Sequence, residues 1–209
     1  RCVRCQIAMI KLRVDVFSRC LGAKDILLRF VYACLRQSSK AGMMGTEDAL
    51  CQELITDLSN AGLTVAVAES LTGGLLCAAF VHVPGASHAV RGGVCTYATD
   101  TKHSVLNVSD QRLAQTGPVD DEVARQMAHG VRTLMGADFG LSTTGVAGPG
   151  PADGHPAGTV YVGCAWEGGS RLQRLDLSGD RDQVRQGAVI AALELFREVL
   201  KATPNIHTR

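Results

Sequence analysis

The run Leu63-Thr64-Val65-Ala66-Val67-Ala68 restricts the fold of this chain more than any other stretch. It is short, β-branched and free of charge, the pattern of a strand buried on both faces, and such strands belong inside parallel α/β sheets. It leads into Glu69-Ser70-Leu71-Thr72-Gly73-Gly74 and then into a second apolar run, residues 75–83, long enough for a buried helix. Thr72 is the N-cap candidate for that helix, and the two glycines permit close backbone approach. Ser70 therefore falls at the carboxyl end of a strand, just before a helix N-terminus. In open α/β sheets that edge is where ligands bind.

The rest of the chain repeats the alternation. Leu50, Leu54 and Leu58 recur at four-residue spacing behind Glu47 and Asp48, predicting an amphipathic helix from Thr46 that ends at Asn60-Ala61-Gly62. Residues 89–97 read as a second strand and residues 99–106 as a short helix or turn. Asp120-Asp121-Glu122 opens a helix that continues to Met135, with acids where the helix dipole favours them. Residues 139–144 predict a third strand, followed by the Gly- and Pro-rich loop Gly145-Val146-Ala147-Gly148-Pro149-Gly150-Pro151. Residues 158–166 and 171–177 read as two more strands joined in a hairpin at Glu167-Gly168-Gly169. A closing helix over residues 181–200 places Ala188, Ala191, Ala192, Leu195 and Val199 on one face. Five strands interleaved with helices predict a single three-layer α/β/α domain around a mixed, mostly parallel sheet.

Charge divides the 209 residues unevenly. The first 42 carry nine Lys or Arg against two acids, lack a starting Met and precede Met43-Met44-Gly45. They read as a basic extension outside the fold, an appendage, a misassigned start or a transit peptide, leaving residues 43–209 as the domain. That domain holds twelve bases and eighteen acids, a balance that argues against a nucleic-acid surface. No apolar run reaches the roughly 18 residues that a membrane span requires. Cys51, Cys77, Cys95 and Cys164 sit singly inside apolar segments, as reduced core cysteines of a cytoplasmic protein do. Cys2-Val-Arg-Cys5 has metal or redox spacing, but no second close pair follows it.

A serine hydroxyl becomes a nucleophile only when a neighbouring base takes its proton. No Gly-x-Ser-x-Gly elbow is present, and none of the six histidines forms a pair of metal-ligand spacing, so no metal site is expected. Residues 43–209 contain only two lysines, Lys102 and Lys201, against ten arginines. Arginine supplies the surface charge, whereas a desolvated lysine can lose its proton at an accessible pH. Lys102 lies five residues after Tyr97, at the end of a predicted strand. Ser70, Tyr97 and Lys102 thus make a chemically workable constellation, although spacing alone leaves open that Lys102 is a solvated surface lysine.

Five ordered motifs carry a resemblance: Glu69-Ser70-Leu71-Thr72-Gly73-Gly74, Gly92-Gly93-Val94-Cys95-Thr96-Tyr97 with Lys102, Thr144-Gly145-Val146-Ala147-Gly148-Pro149, Pro156-Ala157-Gly158-Thr159-Val160, and Ser178-Gly179-Asp180-Arg181. They resemble the motifs of the CinA C-terminal family, competence/damage-inducible proteins of which many are nicotinamide mononucleotide deamidases. The resemblance implies hydrolysis of the carboxamide of nicotinamide mononucleotide to nicotinate mononucleotide and ammonia, with no metal or other cofactor. It makes Ser70 the nucleophile and Lys102 and Tyr97 its activating pair. Thr144, Gly145, Ala147 and Gly148 become ligand contacts and Arg181 a contact to the phosphate; Ser178 or Asp180, just before a predicted helix, reads from its residue type as the helix cap. Thr72, Gly73 and Gly74 are expected to line the site and offer backbone N–H groups to the oxyanion. Glu69 is either an orienting carboxylate or a structural acceptor for backbone N–H groups. The partner is then a small nucleotide, and self-association is implied. Two departures stand out: the loop after Pro149 lacks a basic residue common in the family, and Asp120 replaces a common Ser. Rival readings are a nucleotide-binding regulatory protein without turnover, and an amidase for another amide.

Overall fold

A computed structural model describes residues 45–203; the basic extension expected over residues 1–42 lies outside them. Helix α1 (Thr46–Ala61) carries Glu47 and Asp48 in its first turn and buries Leu50, Leu54 and Leu58 along one face. Gly62, left-handed at φ 66°, ends it by donating its N–H to the carbonyls of Leu58 and Ser59. Strand β1 (Val65–Glu69) follows and is buried at every position. Next come α2 (Leu75–Val81), a 3-10 turn (Ala86–His88), β2 (Val90–Cys95), α3 (Thr99–Leu106), α4 (Asp110–Thr116) and α5 (Asp121–Met135). The order closes with β3 (Phe139–Gly145), β4 (Thr159–Trp166), β5 (Gly169–Asp176) and α6 (Arg181–Ala202).

These strands form one mixed sheet in the order β2-β1-β3-β4-β5. Its inner part is parallel, β1 pairing with β2 and with β3, and β3-β4-β5 continue it antiparallel. The two-residue side-chain period of β1 divides the interior in two. Val65 and Val67 join a core with Leu54, Leu58, Leu76, Phe80, Phe139 and Phe196, where the Phe139 and Phe196 rings meet edge to face with centroids 5.2 Å apart. Ala66 and Ala68 face a second core with Val123, Met127 and Val131 of α5. Helices thus cover both faces, the three-layer α/β/α arrangement expected. Small residues set its thickness: a Cβ on Gly140 would lie 2.0 Å from the Ala128 carbonyl oxygen, so α5 rests directly on β3 backbone.

Two details depart from the sequence reading. Helix α4 is an additional element, seven residues long and capped by the Ser109 hydroxyl. Cys95 is exposed, because the sheet ends at β2 and alternate residues of that edge strand face outward.

Candidate active site

The turn after β1 is built around Glu69. Its carboxylate, 1% exposed, reaches over the start of α2 and accepts the N–H groups of Gly74 at 2.9 Å, Leu76 at 3.1 Å and Cys77 at 2.8 Å. It also accepts the Thr72 hydroxyl at 2.7 Å, and Thr72 Oγ1 lies 2.7 Å from Thr143 Oγ1. An acid in the preceding strand therefore satisfies donors that a helix N-terminus leaves open. Thr72 does not cap α2; the cap position is Gly74 at φ 98°. Gly73 donates its N–H to the Ser70 carbonyl at 3.2 Å. The donors expected at Gly73 and Gly74 are consequently engaged. Among the described residues of this turn, the N–H groups of Leu71 and Thr72 take no hydrogen-bond partner. From the other side Arg185 of α6 donates to the carbonyls of Leu71 at 3.0 Å and Thr72 at 2.9 Å.

This frame presents Ser70 to Lys102. The lysine enters from α3, is 0% exposed, and places Nζ 3.1 Å from Ser70 Oγ, 2.7 Å from the Thr96 carbonyl and 3.5 Å from the Tyr97 carbonyl. Burial pushes its pKa from 10.5 down to about 8, with the Asp153 carboxylate acting in the opposite direction. A neutral amine has two hydrogens and one lone pair. With both hydrogens on the carbonyls of Thr96 and Tyr97, the lone pair is left for the Ser70 hydroxyl proton. The Thr96 carbonyl is held in turn, since its own N–H donates to the Glu69 carbonyl at 2.9 Å.

Ser70 and Lys102 lie at the buried end of a cavity of about 230 Å³. Of the other expected contacts, Tyr97, Thr144, Gly145, Ala147, Gly148 and Arg181 line it, while Glu69, Thr72, Gly73 and Gly74 do not. The Tyr97 side chain does not join the Ser–Lys pair. It is 65% exposed, and its hydroxyl accepts a hydrogen bond from Arg181 Nη2 at 3.2 Å. Arg181 Nη1 donates to the Gly148 carbonyl at 2.7 Å, joining the glycine-rich loop to the tyrosine across part of the cavity wall. Asp180, not Ser178, caps α6 by accepting the N–H groups of Asp182 and Gln183. Those two helix-start donors are thereby engaged, and the Arg181 guanidinium is the cationic side chain on this part of the cavity wall. Thr144 lines the cavity with its hydroxyl donated to the Pro118 carbonyl at 2.7 Å.

A family model, the CinA C-terminal domain, matches residues 47–200. The chain belongs to this family. A CinA-like protein of Frankia casuarinae is 41% identical over 196 residues, 93% of this chain and 45% of that protein. Another, of Gloeobacter violaceus, is 39% identical over 192 residues, 90% of this chain and 45% of that protein. The chain thus spans under half the length of these relatives. Among solved structures, the competence/damage inducible protein CihA of Agrobacterium tumefaciens matches with TM-score 0.72 and 33% identity over 75% of this chain and 97% of that one. A CinA superfamily protein of Klebsiella pneumoniae gives 0.73 and 33% over 76% and 99%.

Within this CinA domain, three participants were missed from sequence. Arg185 carried a weak signal, standing four residues after Arg181 on one helix face. Thr143 carried none, its role being set by the pairing of β3 with β1. Asp153-Gly154 announces a tight turn, yet nothing in the sequence places that turn on the cavity. The departure at Asp120 has a local reason. Asp120 caps α5 and accepts two hydrogen bonds from Arg112, at 2.7 Å and 2.5 Å, tying α4 to α5.

Proposed function

We propose that this CinA domain is an amidohydrolase that converts the carboxamide of nicotinamide mononucleotide to the carboxylate with release of ammonia. The observation that carries the reading is the buried Lys102 amine, poised near neutrality by desolvation and 3.1 Å from a strand-end serine at the base of a cavity. A lysine buried without an acidic partner in contact costs stability, and such a cost persists where the group works as a base. In the proposed reaction neutral Lys102 takes the Ser70 proton while Ser70 Oγ attacks the amide carbon, forming a tetrahedral oxyanion. That oxyanion is assigned to the Leu71 N–H, next in the chain after the nucleophile and without a partner among the described residues. The lysine ammonium then passes its proton to the leaving nitrogen, ammonia departs, and water hydrolyses the acyl-serine by the reverse path.

Arg181 takes the phosphate in this reading. Two of its five N–H groups are engaged with Gly148 and Tyr97, and the remainder are available for an anion. Tyr97 supplies a carbonyl to the amine and a ring to the cavity wall, and acts as a positioning residue. The test is release of ammonia and nicotinate mononucleotide from nicotinamide mononucleotide by the purified protein and by Ser70→Ala. The variant should lose at least about a thousandfold in kcat with its melting temperature nearly unchanged. Equal rates in the two proteins, or no product from either, rejects the proposal.

A further inference from the structure

The groups that line the cavity and can carry charge are Tyr97, Lys102, Asp153 and Arg181. The proposed chemistry uses Lys102 and Arg181, with Tyr97 positioned between them. It leaves Asp153 unassigned, although an acid beside a general-base lysine works against it: the negative charge favours the protonated, inactive amine. A carboxylate that holds the proton on the general base calls for a countercharge on the ligand.

Asp153 is also held in place. Residues 152–155 form a two-residue hairpin closed by reciprocal hydrogen bonds between Ala152 and His155, at 3.0 Å and 2.9 Å. Both central residues are left-handed, Asp153 at φ 50° and Gly154 at φ 77°, as a type I′ turn requires. Asp tolerates that conformation better than most residues. Position 117 is a glycine on which a Cβ would lie 3.8 Å from Asp153 Cβ, so the turn sits close over residue 117.

We infer that Asp153 determines specificity in this pocket, its carboxylate selecting an amide borne on a ring with a permanent positive charge over the same amide on a neutral ring. This rests on the amidohydrolase reading for the bond broken, and adds the charge class of the group that bears it. A ligand with a cationic ring and an anionic phosphate complements a cavity lined by Asp153 and Arg181. Seating the ring cation against Asp153 also offsets the charge that holds the proton on Lys102. Binding of the cationic substrate thus favours the neutral amine at the moment it is needed, and a neutral ring lacks this effect.

The experiment compares nicotinamide mononucleotide, whose pyridinium ring is cationic, with its reduced dihydropyridine form, which has the same carboxamide, ribose and phosphate on a neutral ring. Equilibrium binding and kcat/KM are measured at pH 8 for the intact chain and for Asp153→Asn, a side chain equally at ease in the left-handed turn. The unsubstituted protein should bind the cationic form about fivefold tighter, the size expected of a charge contact to an exposed carboxylate. Asp153→Asn should abolish that preference while binding the reduced form within about threefold of the original. With the Asp153 charge gone, the rise of kcat/KM with pH for the reduced form should move to lower pH. Equal binding of the two forms by the unsubstituted protein overturns the inference, as does a preference that survives in Asp153→Asn. A preference that is present and abolished by the substitution, with no turnover of either form, upholds the inference and rejects the amidohydrolase reading. Binding of neither form rejects both.

Discussion

Replacing Lys102 by methionine should separate what the buried amine does for the fold from what it does for the chemistry. Burial lowers its pKa from 10.5 to about 8, which at about 1.4 kcal/mol per unit is a penalty of about 3 kcal/mol whenever the folded protein holds the charged form. The sign follows from proton counting. Between pH 8 and 10.5 the unfolded lysine keeps its proton and the folded one has lost it, so stability rises with pH in that window and is lowest, and flat, below it. Methionine has similar length and no charge, so it removes the penalty at every pH. It also leaves the buried Thr96 carbonyl without the bond at 2.7 Å, at a cost of about 1–3 kcal/mol.

The net change at pH 7 is accordingly small, between about zero and a gain of 2 kcal/mol. The informative quantity is its pH dependence. Urea unfolding of both proteins at pH 7, 8, 9 and 10 should show the advantage of Lys102→Met falling by about 2–3 kcal/mol across the series, because titrations common to both cancel in the difference. Over the same range kcat/KM of the unsubstituted protein should reach half its plateau near pH 8 and level about one unit higher as the amine loses its proton, and the variant should be inactive throughout. Two stability profiles that run parallel within about 0.5 kcal/mol would refute the reasoning, because they would mean that the amine is not desolvated in the fold.

Three further outcomes follow from the same geometry. Glu69→Gln weakens a carboxylate that accepts three backbone N–H groups and a hydroxyl, so stability should fall by about 2–3 kcal/mol, read as a drop of several degrees in Tm. Arg181→Ala should raise KM for the nucleotide at least about tenfold while leaving KM for the nucleoside lacking phosphate nearly unchanged; equal effects on both would remove the phosphate role. Gly158→Ala forces a left-handed backbone at φ 92° and puts a Cβ 1.9 Å from the Leu177 carbonyl oxygen. It should cost more than about 3 kcal/mol in chemical denaturation, and would also disturb the cavity loop, which Gly158 holds through its N–H to the Val146 carbonyl at 2.8 Å.

The fold was legible where one residue pattern admitted one solution. The uncharged run 63–68 that leads into Glu69 has no face to show to water, so helices had to cover both sides of it. The leucines of α1 and the alanine-rich face of α6 then lie in the core as their spacing required. Helix α4 escaped notice because its seven residues bury one leucine, Leu113, too little for any period to register. Within the site, Ser70 followed from its place at a strand end and Lys102 from the rarity of lysine in the domain. The direction of Tyr97 did not follow. It stands beyond the last residue of β2, Cys95, and past a strand end alternation no longer fixes which way a side chain points.

Glu69 shows why the remaining gap is physical. From sequence it was equally an orienting group for the nucleophile and an acceptor for the backbone; its four hydrogen bonds place it in the second role. By satisfying the start of α2 internally, Glu69 withholds from a ligand the N–H groups and positive dipole end that such a strand–turn–helix commonly presents to phosphate. Asp180 does the same at the start of α6. With both helix starts closed, the charges left to organise a substrate are side chains from three separate elements: Lys102 on α3, Asp153 on the 152–155 turn and Arg181 on α6. In the proposed reaction that division puts the base, the charge selection and the phosphate anchor on parts of the chain that can vary independently, while the turn that carries Ser70 is fixed by bonds to β3 and α6.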